Sequence, residues 1–84
     1  MKYSQLVPND LIDLACALCP WSKNYNPEVL TNTGTTEVYF SSGQFVEFND
    51  ENGLINSNGG PFDIAAFMKI ANELELIYFK QTQA

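Results

Sequence analysis

Histidine and arginine are both missing from this 84-residue sequence, which has two cysteines and four lysines. Without histidine, acid–base catalysis near neutral pH loses its usual agent. No serine or cysteine has an evident activating base beside it, and no Gly-x-Ser-x-Gly elbow occurs. An enzyme is therefore not expected, and no catalytic residue is assigned. Two cysteines supply half of a zinc ligand set, so no metal or other cofactor is expected of a single chain. No apolar run approaches the ~20 residues of a membrane span. The opening "MKYSQLVPND" has neither an apolar central region nor a small-residue cleavage site. A cytoplasmic protein is the expectation.

Basic residues are scarce in a telling place. Ten acids face four lysines, for a net charge of −6. Lys2 and Lys23 offset Asp10 and Asp13, and Lys69 and Lys80 offset Glu73 and Glu75. The excess falls on Glu28, Glu37, Glu47, Asp50, Glu51 and Asp63, and residues 24–68 contain no base at all. Such a field repels nucleic acid and anionic membrane, which are bound through lysine and arginine. It attracts basic protein surfaces and speeds encounter with them. Six carboxylates also do the ordinary work of keeping a small domain in solution.

What is present argues for a folded domain. The hydrophobic fraction is 45%, with one Trp, four Tyr and six Phe, too much apolar matter for a disordered chain. From Pro8, the residues Leu11, Leu14, Ala15 and Leu18 recur at helical spacing, widened by Ile12 and Cys19. Pro8 suits a first helical turn and Pro20 forbids continuation, so a helix should end near Cys19. Residues 21–35 read as a connection, with one helical turn at "NPEVL". "TTEVYF" and "QFVEFN" read as strands around the turn "SSGQ". The Asn-Gly pair of "DENG" signals another turn, with "LIN" as a short third strand. From Pro61 to about Gln81, Ile64, Phe67, Ile70, Ala71, Leu74, Ile77 and Tyr78 form one stripe, capped by Gly60 and Pro61.

The expected fold is α+β in a single domain over residues 1–84. It comprises an N-terminal helix, a two- or three-stranded antiparallel β-meander, and a long C-terminal helix. So small a sheet is not stable alone, so the helices should cover one of its faces.

"CALCPW", residues 16–21, is the most motif-like string. A redox Cys-x-x-Cys works at a helix N-terminus, where the dipole favours thiolate. Here both cysteines fall at an expected helix C-terminus, with no strand before it. "CPW" followed by "GGPFDIAAFMKI" loosely resembles the zinc-ribbon module of bacterial primases. In that module a Cys-Pro-aromatic-His step opens the ribbon and Gly-Asp leads into a helix. Ser22 stands where the resemblance implies histidine, and the later cysteine pair is missing, so no function is carried over. The expectation is that Cys19 packs in the core and Cys16 lies at its edge. "NDENGLINSNGG" fails as a calcium loop: with Gly53 at the sixth position, Phe48 and Gly59 fall where side-chain ligands belong. "SNGGP" lacks the Gly-Lys-Ser/Thr end of a phosphate loop.

The hairpin carries the main functional expectation. If Ser42 and Gly43 form a two-residue turn, one face bears Val38, Phe40, Phe45 and Glu47, and the other Glu37, Tyr39, Val46 and Phe48. Neither is cleanly apolar or polar, whereas strands with one wet face usually alternate. Met68 and Phe79 lie beyond the polar edge of the last helix, and Met and aromatic residues are enriched where proteins meet. A non-enzymatic interaction module follows, with Glu37, Tyr39, Glu47, Phe48, Asp50 and Glu51 as partner-binding residues. Its partner is a protein with a basic surface. An inhibitor filling a nucleic-acid-binding groove fits, as phage-encoded inhibitors of restriction and CRISPR machinery do. An adaptor, a homodimer seam, or a thiol or metal protein using Cys16 and Cys19 are the alternatives.

Overall fold

The computed structural model describes residues 3–74. Its element order is α1 (Pro8–Leu18), β1 (Pro27–Asn32), β2 (Thr35–Phe40), β3 (Phe45–Asn49), β4 (Ile55–Ser57) and α2 (Ile64–Glu73), with short 3₁₀ turns at Tyr3–Gln5 and Pro20–Ser22. The four strands form an antiparallel meander in the order β1-β2-β3-β4. The fold is α+β, as expected, but with four strands rather than two or three. The second helix has ten residues and is not long. Residues 75–81, expected to continue it, lie outside the described residues.

Helix α1 forms as its prolines dictate. Pro8 opens it without needing a donor, and the Cys19 N–H closes it on the Ala15 carbonyl at 2.9 Å. Pro20 offers no amide to extend the ladder. The buried stripe is Leu11, Leu14, Ala15 and Leu18.

"NPEVL" is a strand, not a helical turn. Pro27 is its first residue, a position where a missing N–H is tolerated, and it is an edge strand. Only Pro27 and Val29 are half-buried, and Glu28, Leu30, Thr31 and Asn32 are exposed.

The turn between β2 and β3 settles which face is which. Ser41, Ser42 and Gly43 form a three-residue loop. The Gly43 N–H reaches the Phe40 carbonyl at 2.9 Å, and the Phe40 N–H reaches the Gln44 carbonyl at 2.8 Å. Gly43 sits at φ 91°, the left-handed conformation that ends such loops. Tyr39 therefore pairs with Phe45, Val38 with Val46 and Glu37 with Glu47. This is one residue off the two-residue turn, and a slip of one moves a whole strand to the opposite face. The inner face carries Thr36, Val38, Phe40, Val46, Phe48 and Ile55, all buried. The outer face carries Glu37, Tyr39, Phe45 and Glu47.

Both helices pack on the inner face. Phe48 lies between two rings, stacked on Tyr3 at 4.7 Å between centroids and on Phe67 of α2 at 6.2 Å. That column joins the N-terminal turn, the sheet and the second helix. Trp21 meets Phe40 edge-on at 5.7 Å, and Gly59 passes so close that a Cβ would lie 2.7 Å from the indole. Met68, expected to stand apart, packs against the core. Phe79 lies outside the described residues.

The cap of α2 is Asp63 rather than Gly60. Its carboxylate accepts from the Ala66 N–H at 3.0 Å, and its own N–H donates to the Leu18 carbonyl at 2.7 Å. One residue thus begins the second helix and satisfies the end of the first.

Candidate functional site: the outer face of the sheet

No element among the described residues covers the outer face, which the register orders into rows across the strands. One row runs Leu30, Glu37, Glu47, Asn56, and the next runs Glu28, Tyr39, Phe45. Leu30 is 48% exposed and Tyr39 39%.

The hydrogen-bond parity fixes how close the acids come. Phe40 and Gln44 form a hydrogen-bonded pair, as do Gly34 and Asp50, whose N–H···O distance is 2.9 Å. Alternation then makes Glu37–Glu47 and Tyr39–Phe45 non-hydrogen-bonded pairs. In such pairs the Cα atoms approach to about 4.5 Å and the side chains stand closest. Two carboxylates thus face each other directly, an arrangement that opposes folding.

Neighbours orient the site. The Tyr39 hydroxyl donates to Glu37 Oε2, and the Asn32 amide donates to Glu37 Oε1 at 2.8 Å. Both oxygens of Glu37 are held. The Tyr39 phenol is pushed above its ordinary value, chiefly by that hydrogen bond, with the Glu37 and Glu47 charges adding to it. Tyr39 and Phe45 lie 5.8 Å apart at 42°, forming an aromatic shelf beside the acids.

Glu37, Tyr39 and Glu47, expected as partner-binding residues, are brought together here. The other three sit elsewhere. Phe48 is fully buried at the centre of the ring column. Asp50 is buried behind the β3–β4 turn, 3.3 Å from the Ser4 N–H, and its charge helps burial raise the Tyr3 phenol. Glu51 is exposed within that turn, its N–H held by Asn49 Oδ1 at 2.8 Å. Sequence reasoning missed Glu28, Leu30 and Phe45 as members of this face. For Phe45 the signal was the disorderly alternation of β2 and β3, which a three-residue loop resolves; Glu28 and Leu30 lie on β1, which gave no strand signal.

At the end of α1, Cys19 is buried and Cys16 exposed. Burial, with Cys16 adding, pushes the Cys19 thiol up to about 12, so it stays protonated at neutral pH. Among the described residues no three His, Cys, Asp or Glu side chains gather as a metal site. The described residues enclose no pocket, and no described helix is long and apolar enough to cross a membrane. Comparison with protein-family models, with curated proteins and with solved structures finds no match for this chain.

Proposed function

We propose that this chain is a non-enzymatic protein-binding module whose outer sheet face seats on the basic surface of a partner. In its most concrete form it is an inhibitor that occupies a nucleic-acid-binding groove. The observation that carries this reading is the Glu37–Glu47 pair. Carboxylates directly opposite one another oppose folding by a few tenths to about 1 kcal/mol, and on the inner face of β2 and β3 no charged side chains face each other. A partner's lysine or arginine between them converts the repulsion into two charge-assisted hydrogen bonds. Its flat guanidinium also stacks well on an aromatic shelf such as Tyr39 and Phe45. Glu28 extends the negative field along the same face.

The sign of the field keeps the module itself off nucleic acid and anionic membrane. Blocking a basic groove is then the natural use of this surface, the strategy of phage-encoded inhibitors of restriction and CRISPR machinery. The test is a pull-down from bacterial lysate at low and moderate salt with wild type and E37Q/E47Q. A captured partner is then assayed for nucleic-acid binding with and without the module. The expected partner is basic, is lost in the variant and at moderate salt, and releases nucleic acid when the module is added. Equal capture by the double variant removes the reading.

A further inference from the structure

The two edges of the sheet are unequal. β4 is three residues long, and its approach to β3 is reinforced by side chains. The Asn58 carboxamide oxygen accepts from the Phe45 N–H at 2.9 Å, and the Ser57 hydroxyl donates to the Phe45 carbonyl. Shortness is itself a protection for an edge. β1 is twice as long, six residues, and so offers the longer free edge.

The direction of the free groups on β1 follows from the ladder. The Asn26 carbonyl accepts from the Ser41 N–H at 3.0 Å, one step before the Pro27–Phe40 pair. Alternation then assigns the bonds to β2 to Glu28, Leu30 and Asn32, and turns the N–H and C=O of Val29 and Thr31 out of the sheet. No other described residue bonds to them.

We infer that β1 pairs with β1 of a second copy, joining two four-stranded sheets into one of eight strands. A two-fold axis demands a self-complementary patch, and one register meets every requirement. Centred on Leu30, it places Val29 opposite the second copy's Thr31 and Thr31 opposite its Val29, giving four backbone hydrogen bonds. Leu30 meets its own copy on the outer face in a non-hydrogen-bonded pair, where side chains pack closest. Glu28 meets Asn32, an amide rather than a like charge. Centring on Val29 instead would keep the same number of bonds, because Pro27 opposite Thr31 has no N–H to give, but it would set each Leu30 against a Glu28 carboxylate instead of a second leucine. Centring on Thr31 would pair Val29 with Thr33, which lies in the turn.

This seam stands apart from the partner-binding reading, and salt tells the two apart. Two chains of charge −6 repel, so added salt strengthens the dimer. It weakens a complex with a basic partner. The seam also sets two acidic outer faces side by side in one continuous sheet.

The experiment is analytical ultracentrifugation of the full chain between about 10 μM and 1 mM, with amide exchange at Val29 and Thr31. Leu30→Lys sets two cations opposite each other at the seam while placing a favourable charge beside Glu37, so the monomer keeps its fold. Thr31→Pro removes two of the four bonds, at an edge position that does not bond β2, and should weaken association about 10- to 100-fold. The proposal predicts a salt-strengthened dimer that protects both amides and is abolished by L30K. A monomer throughout the concentration range overturns it. So does a dimer that survives both substitutions.

Discussion

The two faces of one sheet follow opposite rules. On the inner face every side chain of β2 and β3 is apolar except Thr36, and the largest, Phe48, is clasped between Tyr3 and Phe67. On the outer face, like charges stand opposite each other and aromatic rings meet water. The inner face is arranged for the stability of the chain alone. The outer face gives some of that up, and such local concessions concentrate where a protein does its work.

The comparison breaks most visibly at Phe48. Truncation to alanine should cost about 3–5 kcal/mol, much of the roughly 5–15 kcal/mol holding a small domain together. Urea denaturation would show most of the transition lost. Tyr39→Ala should change stability by only about 0.5 kcal/mol yet cost about 2 kcal/mol in partner binding by calorimetry. If the two substitutions destabilise alike, the faces are not distinct.

Thr36 tests the inner face from the other side. Its hydroxyl is buried with no hydrogen-bond partner among the described residues. Thr36→Val should raise stability by about 1 kcal/mol, seen as a higher urea midpoint. On the outer face, Glu47→Lys replaces a like pair by an opposite one and should stabilise the fold by about 0.5 kcal/mol. The same change should abolish binding to a basic partner, so folding and function would move in opposite directions.

The smallest effect is read from pH. The Tyr39 phenol is raised mainly by its bond to Glu37. The neutral phenol is thus favoured in the folded state, a contribution present below the ordinary tyrosine range and lost as pH rises through the raised value. Ultraviolet titration should show two tyrosines ionising late, Tyr3 and Tyr39, and Glu37→Gln should bring only Tyr39 back towards the ordinary range.

These contrasts were only partly legible in the sequence. The first helix was, because Pro8 and Pro20 bracket a clean apolar stripe. The packing of Cys19 followed from the same wheel, whereas Cys16, expected at the edge of the core, is exposed. β1 was hidden by its own position, since an edge strand beginning with proline and flanked by asparagine resembles a loop. The register was misread because Ser42-Gly43 resembles a two-residue turn, while Gly43 alone takes the left-handed position after Ser41 and Ser42. That single residue interchanged Phe45 with Val46 and Glu47 with Phe48. Glu37, Tyr39 and Glu47 remain on the candidate surface in the true register, while Phe48 moves to the core. The burial of Asp50 against the N-terminal turn has no local signal, because its partner at Ser4 is remote in sequence.

The hydrogen bond from Asp63 to Leu18 has a consequence for the order of events in folding. It joins the two ends of the segment that contains the entire meander, so it closes a long loop and gains little until the strands between have shortened that loop. It is a latch, set last and released first only if the sheet lets go. The Asp63 amide should therefore exchange with solvent at the rate of global unfolding, making one proton a gauge of whether the whole domain is shut.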